Sequence, residues 1–454
     1  MSVRQAARTR GGYGHCGAAS TASGGVLEQS SLSHYDCKSF ALAIRAFSLL
    51  LIAQQGDLVL IRKSMTAVVV SGALLLAGCG GGGSSASNTS VPTDAELSAQ
   101  AALGEKIFAD TSLSASGRQA CASCHSPDNA HSPANSLVTQ LGGALLDLQG
   151  RRSTPALNYL SFNAAFRFDA EGTPTGGFFW DGRAATLQEQ AAEPFVNPFE
   201  MANASVAELI DKLSHATYAN EFKRVFGADI FSRPDDAMAR VTLALQQYQK
   251  EDTDFRAFSS KYDEFLRGNT NLAEQEKRGL ALFNNPDKGN CAGCHPSGKS
   301  ADGSLPMFTD FTYDNLGLPR NPAIARNADP TYFDLGLCER ADLAARTDLC
   351  GAFKVPSLRN VAQRKVYFHN GSFSTLKDAL TFYVQRDTNP EKWYPAGIDG
   401  TLQKFDDLPP QYRANVNITE VPYNRQPGDA PALSDAEIDD VIAFLKTLSD
   451  GYRR

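Results

Sequence analysis

Apolar residues recur at three- and four-residue intervals in several separate segments, and no alternating run is strong enough to predict a strand. Between 94 and 110, Leu97, Ala101, Ile107 and Phe108 fall along one helical face. A second helix is expected from about Thr186. A third, over 235–250, places Val241, Ala244, Leu245 and Tyr248 together. Residues 273–283 and 375–386 repeat the pattern. The clearest helix is the last, where Ser434 and Glu437 form a capping box and Ile438, Val441, Ile442, Leu445 and Leu448 share a face. The predicted class is therefore mainly α.

The N-terminal region follows a different grammar. The apolar run from Phe40 to Ala53 is interrupted by Arg45 and is too short to span a bilayer. Arg62 and Lys63 are followed by an apolar stretch from Thr66 to Leu75, and then by Leu76-Ala-Gly-Cys79, which resembles the lipobox of bacterial lipoproteins. Residues 59–78 are thus expected to be a signal peptide, with Cys79 left as a lipidated first residue. A signal lying this far inside the chain makes residues 1–58 read as an over-extended gene start, with translation from near Val59, Leu60 or Met65. Glycines and serines over 79–93 read as a flexible tether. The expected location is periplasmic, anchored to the membrane through lipid on Cys79.

The remainder divides into residues 94–255, a charged linker at 256–272 and residues 273–454. Formal charge is −7 over the whole chain; residues 1–78 contribute +4, which leaves −11 for the rest. An acidic body of this kind excludes nucleic acid as the expected partner and would attract a basic electron carrier.

Chemistry enters with Cys121-Ala-Ser-Cys-His125 and its second copy, Cys291-Ala-Gly-Cys-His295. Two cysteines three apart followed at once by histidine is the attachment pattern of a c-type haem: each thiol can bond a vinyl group, and the histidine becomes the proximal iron ligand. Zinc would use the same residue types, but zinc ribbons keep their cysteine pairs much closer together. Each motif follows a similar helix, Leu103-Gly-Glu-Lys-Ile-Phe108 and Arg278-Gly-Leu-Ala-Leu-Phe283, so one unit occurs twice. The expectation is two cytochrome c-like domains, each with one covalently attached haem c. Cys338 and Cys350 flank a short loop and are expected to pair in an oxidising compartment.

Whether such haems react or only carry electrons depends on acid–base groups beside an open iron position. Between Trp180 and Met201, Gln190 can donate a hydrogen bond and Glu200 can move a proton, while Pro194 cannot ligate iron. Taken alone, these two read more readily as a solvated helix residue and an ordinary loop acid.

The set Phe179-Trp-Asp-Gly-Arg-Ala184, Asn197-Pro-Phe-Glu-Met201, Leu358-Arg-Asn360 and Tyr367-Phe-His-Asn-Gly371, in this order, resembles the bacterial di-haem cytochrome c peroxidases and MauG. The resemblance extends over residues 94–450. It implies peroxide reduction at the N-terminal haem and electron transfer or charge sharing at the C-terminal one. By position it makes Trp180 the residue between the haems, Gln190 and Glu200 the distal groups, and His125 and His295 the proximal ligands. Hydrogen peroxide would be the substrate, and a small c-type cytochrome or cupredoxin the electron donor. Two alternatives stand beside this: a MauG-like enzyme that oxidises a partner protein through high-valent haems, and a non-catalytic electron carrier.

Three departures from the family pattern matter. Members that need reductive activation carry a histidine beyond the first CxxCH where this chain reads Val138-Thr-Gln-Leu-Gly-Gly143, so the first iron is expected to be open at rest; nearby His131 reads as a surface or propionate neighbour. Where the peroxidases have a methionine ligand to the second iron, fourteen residues after His369, this chain has Tyr383, as MauG does; Met307 is the only methionine after His295. The family's interdomain calcium has altered surroundings: the asparagine usual before Thr-Pro is Ser153, and the proline before Tyr-Phe-His is Val366. Backbone carbonyls remain as its ligands.

Overall fold

Residues 96–453 are described by a computed structural model, and all of them fall in one compact unit. The signal, the tether and Cys79 lie outside the described residues. Helix α1 (Ala99–Ala109) begins at Ser98, whose hydroxyl caps the Ala101 amide, and leads to α2 (Cys121–Cys124). Next come α3 (Leu187–Val196), α4 (Val206–Ser214), α5 (Ala219–Phe226) and α6 (Pro234–Glu251). The second half holds α7 (Lys261–Leu266), α8 (Glu274–Phe283), α9 (Cys291–Cys294), α10 (Leu376–Gln385) and α11 (Asp435–Lys446). Strand structure among the described residues is confined to three antiparallel pairs of two residues each. One joins Leu141–Gly142 to Leu148–Gln149, and another joins Tyr313–Asp314 to Phe353–Lys354.

The two halves repeat one packing device. Helix α1 lies against α6, and α8 lies against α11. At each crossing the repeated motif contributes a glycine: a Cβ on Gly104 would collide with the Ala244 carbonyl, and one on Gly279 with the Asp440 carbonyl. Four residues on, Phe108 and Phe283 enter the respective cores. The first core joins Leu103 and Ile107 to Leu209, Phe222, Val241 and Leu245; the second joins Phe283 to Tyr262, Phe308, Val441 and Phe444. Close helix contact thus explains the glycine in both copies, and the aromatic four residues later closes the same side of the crossing.

Three sequence expectations change. Helices α4 and α5 were not predicted, although Ser205, whose hydroxyl accepts from the Glu208 amide, is a readable cap. The stretch read as a linker, 256–272, contains α7, and its Asp263 is fully buried in a salt bridge with Arg359 at 2.9 Å. His131 is not a surface residue: it is 1% exposed and stacked on Phe255.

Candidate functional site: two cavities with a shared wall

Each CxxCH segment is a single helical turn that ends on its histidine, with almost the same backbone in both copies: φ −124° and ψ 69° at His125, φ −121° and ψ 68° at His295. His125 Nδ1 donates to the His131 carbonyl at 3.3 Å, and His295 Nδ1 donates to the Phe308 carbonyl at 2.7 Å. Fixing Nδ1 in this way leaves Nε2 as the nitrogen available to a ligand. Burial lowers the pKa of both imidazoles, that of His125 to about 4, so each is the neutral base that iron ligation requires. His131 therefore acts through its carbonyl, and its own ring is held by Asn158 at 2.7 Å.

Cys121, Cys124 and His125 line a cavity of about 490 Å³ together with Gln190, Pro194, Asn197 and Glu200. Cys291, Cys294 and His295 line a second, of about 260 Å³, together with Tyr383, Tyr423 and His369. The two cysteine pairs lie on different cavities, so they cannot share one zinc ion. None of these four cysteines is in a disulfide, whereas Cys338 and Cys350 are bonded to each other. Burial pushes the Cys121 thiol up to about 12 and Cys124 to about 11, with Cys291 and Cys294 also at about 12. Thiols beside a cavity, each pair followed at once by an imidazole, fit a haem. Among the described residues no group of three or more His, Cys, Asp or Glu could hold a metal ion.

Pro155, Phe179, Trp180 and Gln190 line both cavities. Trp180 is fixed from two sides: its indole N–H donates to the Ser153 carbonyl at 2.7 Å, and its own carbonyl accepts from the Lys354 amide at 2.8 Å. The next residue, Asp181, is 2% exposed and accepts from Arg152 at 2.6 Å; the same guanidinium makes two 2.6 Å bonds to Asp334. Burial opposes ionisation of both carboxyls, but Arg152, with Arg183 beside Asp181 and Arg151 beside Asp334, holds them below the usual range. This buried triad pins the segment around Trp180 to both halves. It was not legible in the sequence, since its members are far apart in the chain.

Gln190, on α3, is 7% exposed. Glu200 follows in the turn after α3; its carboxylate accepts from Asn197 Nδ2 at 2.7 Å, and its carbonyl accepts from the Gly143 amide at 2.8 Å. Burial raises the Glu200 pKa above the ordinary carboxylate value, against the opposing effects of Asn197 and Arg183. Of the residues lining this cavity, His125 is the one histidine.

In the other cavity, burial and the nearby Asp314 raise the Tyr383 phenol, and its ring lies 6.3 Å from that of Tyr423. His369 lies in the same lining, stacked on Phe353 at 3.4 Å and 3.5 Å from Asp407. Met307 does not line this cavity; its carbonyl accepts from the Ser357 hydroxyl.

A mostly helical chain with two cavities, each behind a CxxCH turn and sharing a wall that includes Trp180, has the layout expected of a di-haem redox protein. The family model for di-haem cytochrome c peroxidase matches residues 98–271. MauG of Paracoccus denitrificans is 35% identical over 366 residues, covering 78% of this chain and 89% of that protein. The cytochrome c551 peroxidase of Nitrosomonas europaea is 32% identical over 289 residues, covering 62% and 71%. Among solved structures, the diheme peroxidase BthA from Burkholderia thailandensis superposes with a TM-score of 0.72 at 40% identity, covering 79% of this chain and 88% of that one. The chain belongs to the di-haem cytochrome c peroxidase and MauG family, and it is an oxidoreductase.

Proposed function

We propose that this protein is a periplasmic di-haem c peroxidase that reduces hydrogen peroxide to water in the His125 cavity, with electrons from a small redox protein entering through the His295 cavity. The observation that carries the reading is the pairing of Glu200 and Gln190 with His125 around one cavity whose wall, at Trp180, is also the wall of the second. Cys121, Cys124, Cys291 and Cys294 would hold two haems by thioethers, and the haems would supply the iron and the redox capacity.

The residues then have distinct tasks. Glu200 takes the first peroxide proton and returns it to the departing oxygen. Its raised pKa suits that exchange near neutral pH, because a group that must both accept and donate works best with a pKa close to the working pH. Gln190 donates a hydrogen bond and keeps peroxide oriented. Trp180 gives electrons a path through the shared wall. The lack of a second histidine on the first cavity supports an iron position open without prior reduction. Tyr383, as its phenolate oxygen, would be a second residue of this cavity to hold the iron, beside His295, and would favour its oxidised form.

A MauG-like oxidation of a partner protein is the second reading, favoured by the tyrosine in place of methionine and by the 35% identity to MauG. No helix among the described residues is long and apolar enough to cross a membrane, and membrane attachment is proposed through lipid on Cys79 alone. The test is rapid mixing of resting ferric protein with peroxide, with no reductant present. A fast spectral response at both haems is expected; a response only after pre-reduction would remove the open first site.

A further inference from the structure

The family's interdomain calcium site is altered at Ser153 and Val366, and one side chain reaches both positions. Arg364 Nη2 donates to the Ser153 hydroxyl at 3.2 Å and to the Thr154 carbonyl at 3.1 Å. Arg364 Nε donates to the Val366 carbonyl at 3.2 Å. The Arg364 carbonyl is itself used, accepting from the Tyr367 hydroxyl at 3.1 Å. Arg364 lines the His295 cavity, while Ser153 and Thr154 line the His125 cavity, so the guanidinium lies between the two.

These contacts are incompatible with calcium in the same place. Calcium takes six to eight oxygens, commonly including carboxylates. Here the oxygens are neutral and already accept from a cation, and no carboxylate forms a salt bridge with Arg364 among the described residues. Burial draws the Arg364 pKa down only to about 10, so it remains charged at neutral pH. A dication beside it would be repelled.

We propose that the Arg364 guanidinium replaces the interdomain calcium of the family: it holds the Ser153 hydroxyl and the Thr154 and Val366 carbonyls together and supplies the positive charge between the two cavities. The protein accordingly carries no calcium there and does not depend on it. The charge role rests on the two-haem reading, whereas calcium content can be measured whether or not the protein turns over peroxide.

The experiment uses the purified full-length holoprotein, dialysed first against calcium and then against calcium-free buffer. Elemental analysis should find far less than one calcium per chain, and excess EGTA should leave the ferric spectrum and melting temperature unchanged. One retained calcium per chain, or a spectrum or melting point that moves with EGTA, would overturn the proposal. Arg364→Gln should lower the midpoint potentials of the haems, because removing a buried positive charge favours the more positive oxidised state, and Arg364→Lys should largely restore them. A glutamine variant with lower melting temperature but wild-type potentials would contradict the charge role. If that variant fails to fold, the wild-type calcium content and EGTA response decide the question.

Discussion

Replacing Glu200 with glutamine removes one proton-accepting oxygen and keeps the shape of the side chain. Asn197 Nδ2 donates to the Glu200 carboxylate at 2.7 Å, and the glutamine carbonyl can accept that bond. A hydrogen bond to a charged acceptor contributes roughly 1.5–3 kcal/mol and a neutral one roughly 0.5–1.5 kcal/mol, so about 1 kcal/mol is lost. Relief of the desolvation that raises the Glu200 pKa offsets part of this loss. The variant should therefore fold, with melting close to wild type. Its peroxide reaction should not survive so well: general acid–base assistance is typically worth about 10²–10⁴-fold, or roughly 3–5 kcal/mol of barrier. Stopped-flow mixing of each ferric holoprotein with peroxide measures the rate across pH. In the wild type the rate should fall as pH drops through the raised pKa of Glu200, because the carboxylate is the proton acceptor, and this limb should lie above that of an exposed glutamate. It should vanish in Glu200→Gln. A variant with an unchanged rate and the same acid limb would refute the assignment and leave Glu200 as a buried structural acid.

Tyr383→Phe should alter the low-spin ferric spectrum of the second haem at unchanged haem content, and Tyr383→Met should raise its potential; wild-type spectra in the phenylalanine variant would rule out ligation. Trp180→Phe loses the indole bond to Ser153, so donor-driven turnover should slow several-fold while the single-turnover peroxide reaction at the first cavity is retained; equal slowing of both would deny it a role between the cavities. Gly279→Ala drives a methyl into the Asp440 carbonyl and should cost about 1–3 kcal/mol by denaturant unfolding, whereas Gly298→Ala, in open space, should be near neutral. Labelled palmitate should enter the mature protein, and membrane association that persists in Cys79→Ala would count against the lipid anchor.

What could be read in advance depended on how locally each feature is encoded. The paired CxxCH turns and the repeated glycine–aromatic helices were legible because each is written in residue types at short, constant spacings, and the close helix crossing accounts for the glycine. The capping box at Ser434 and Glu437 was legible for the same reason, and both bonds of that box are present. Tyr383 and Trp180 depended on the family resemblance, since neither spacing nor periodicity distinguishes them from core aromatics. Two groups were out of reach. Arg152, Asp181 and Asp334 form a buried triad, and Arg364 meets Ser153, only because the fold brings distant segments together. Of the two places open to His131, surface or propionate neighbour, the surface is ruled out: its carbonyl meets His125, and its buried ring is held by Asn158 and Phe255, contacts that spacing along the chain does not reveal.

The central claim is that peroxide is reduced in one cavity with electrons delivered through the other. It is tested most directly by following a reduced small c-type cytochrome as it is oxidised by peroxide in the presence of the two-haem protein. Two molecules of donor should be oxidised per molecule of peroxide, catalytically, without pre-reduction and with strong loss in Glu200→Gln. A protein that carries both haems yet fails to catalyse peroxide-dependent oxidation of any reduced cytochrome or cupredoxin would contradict it.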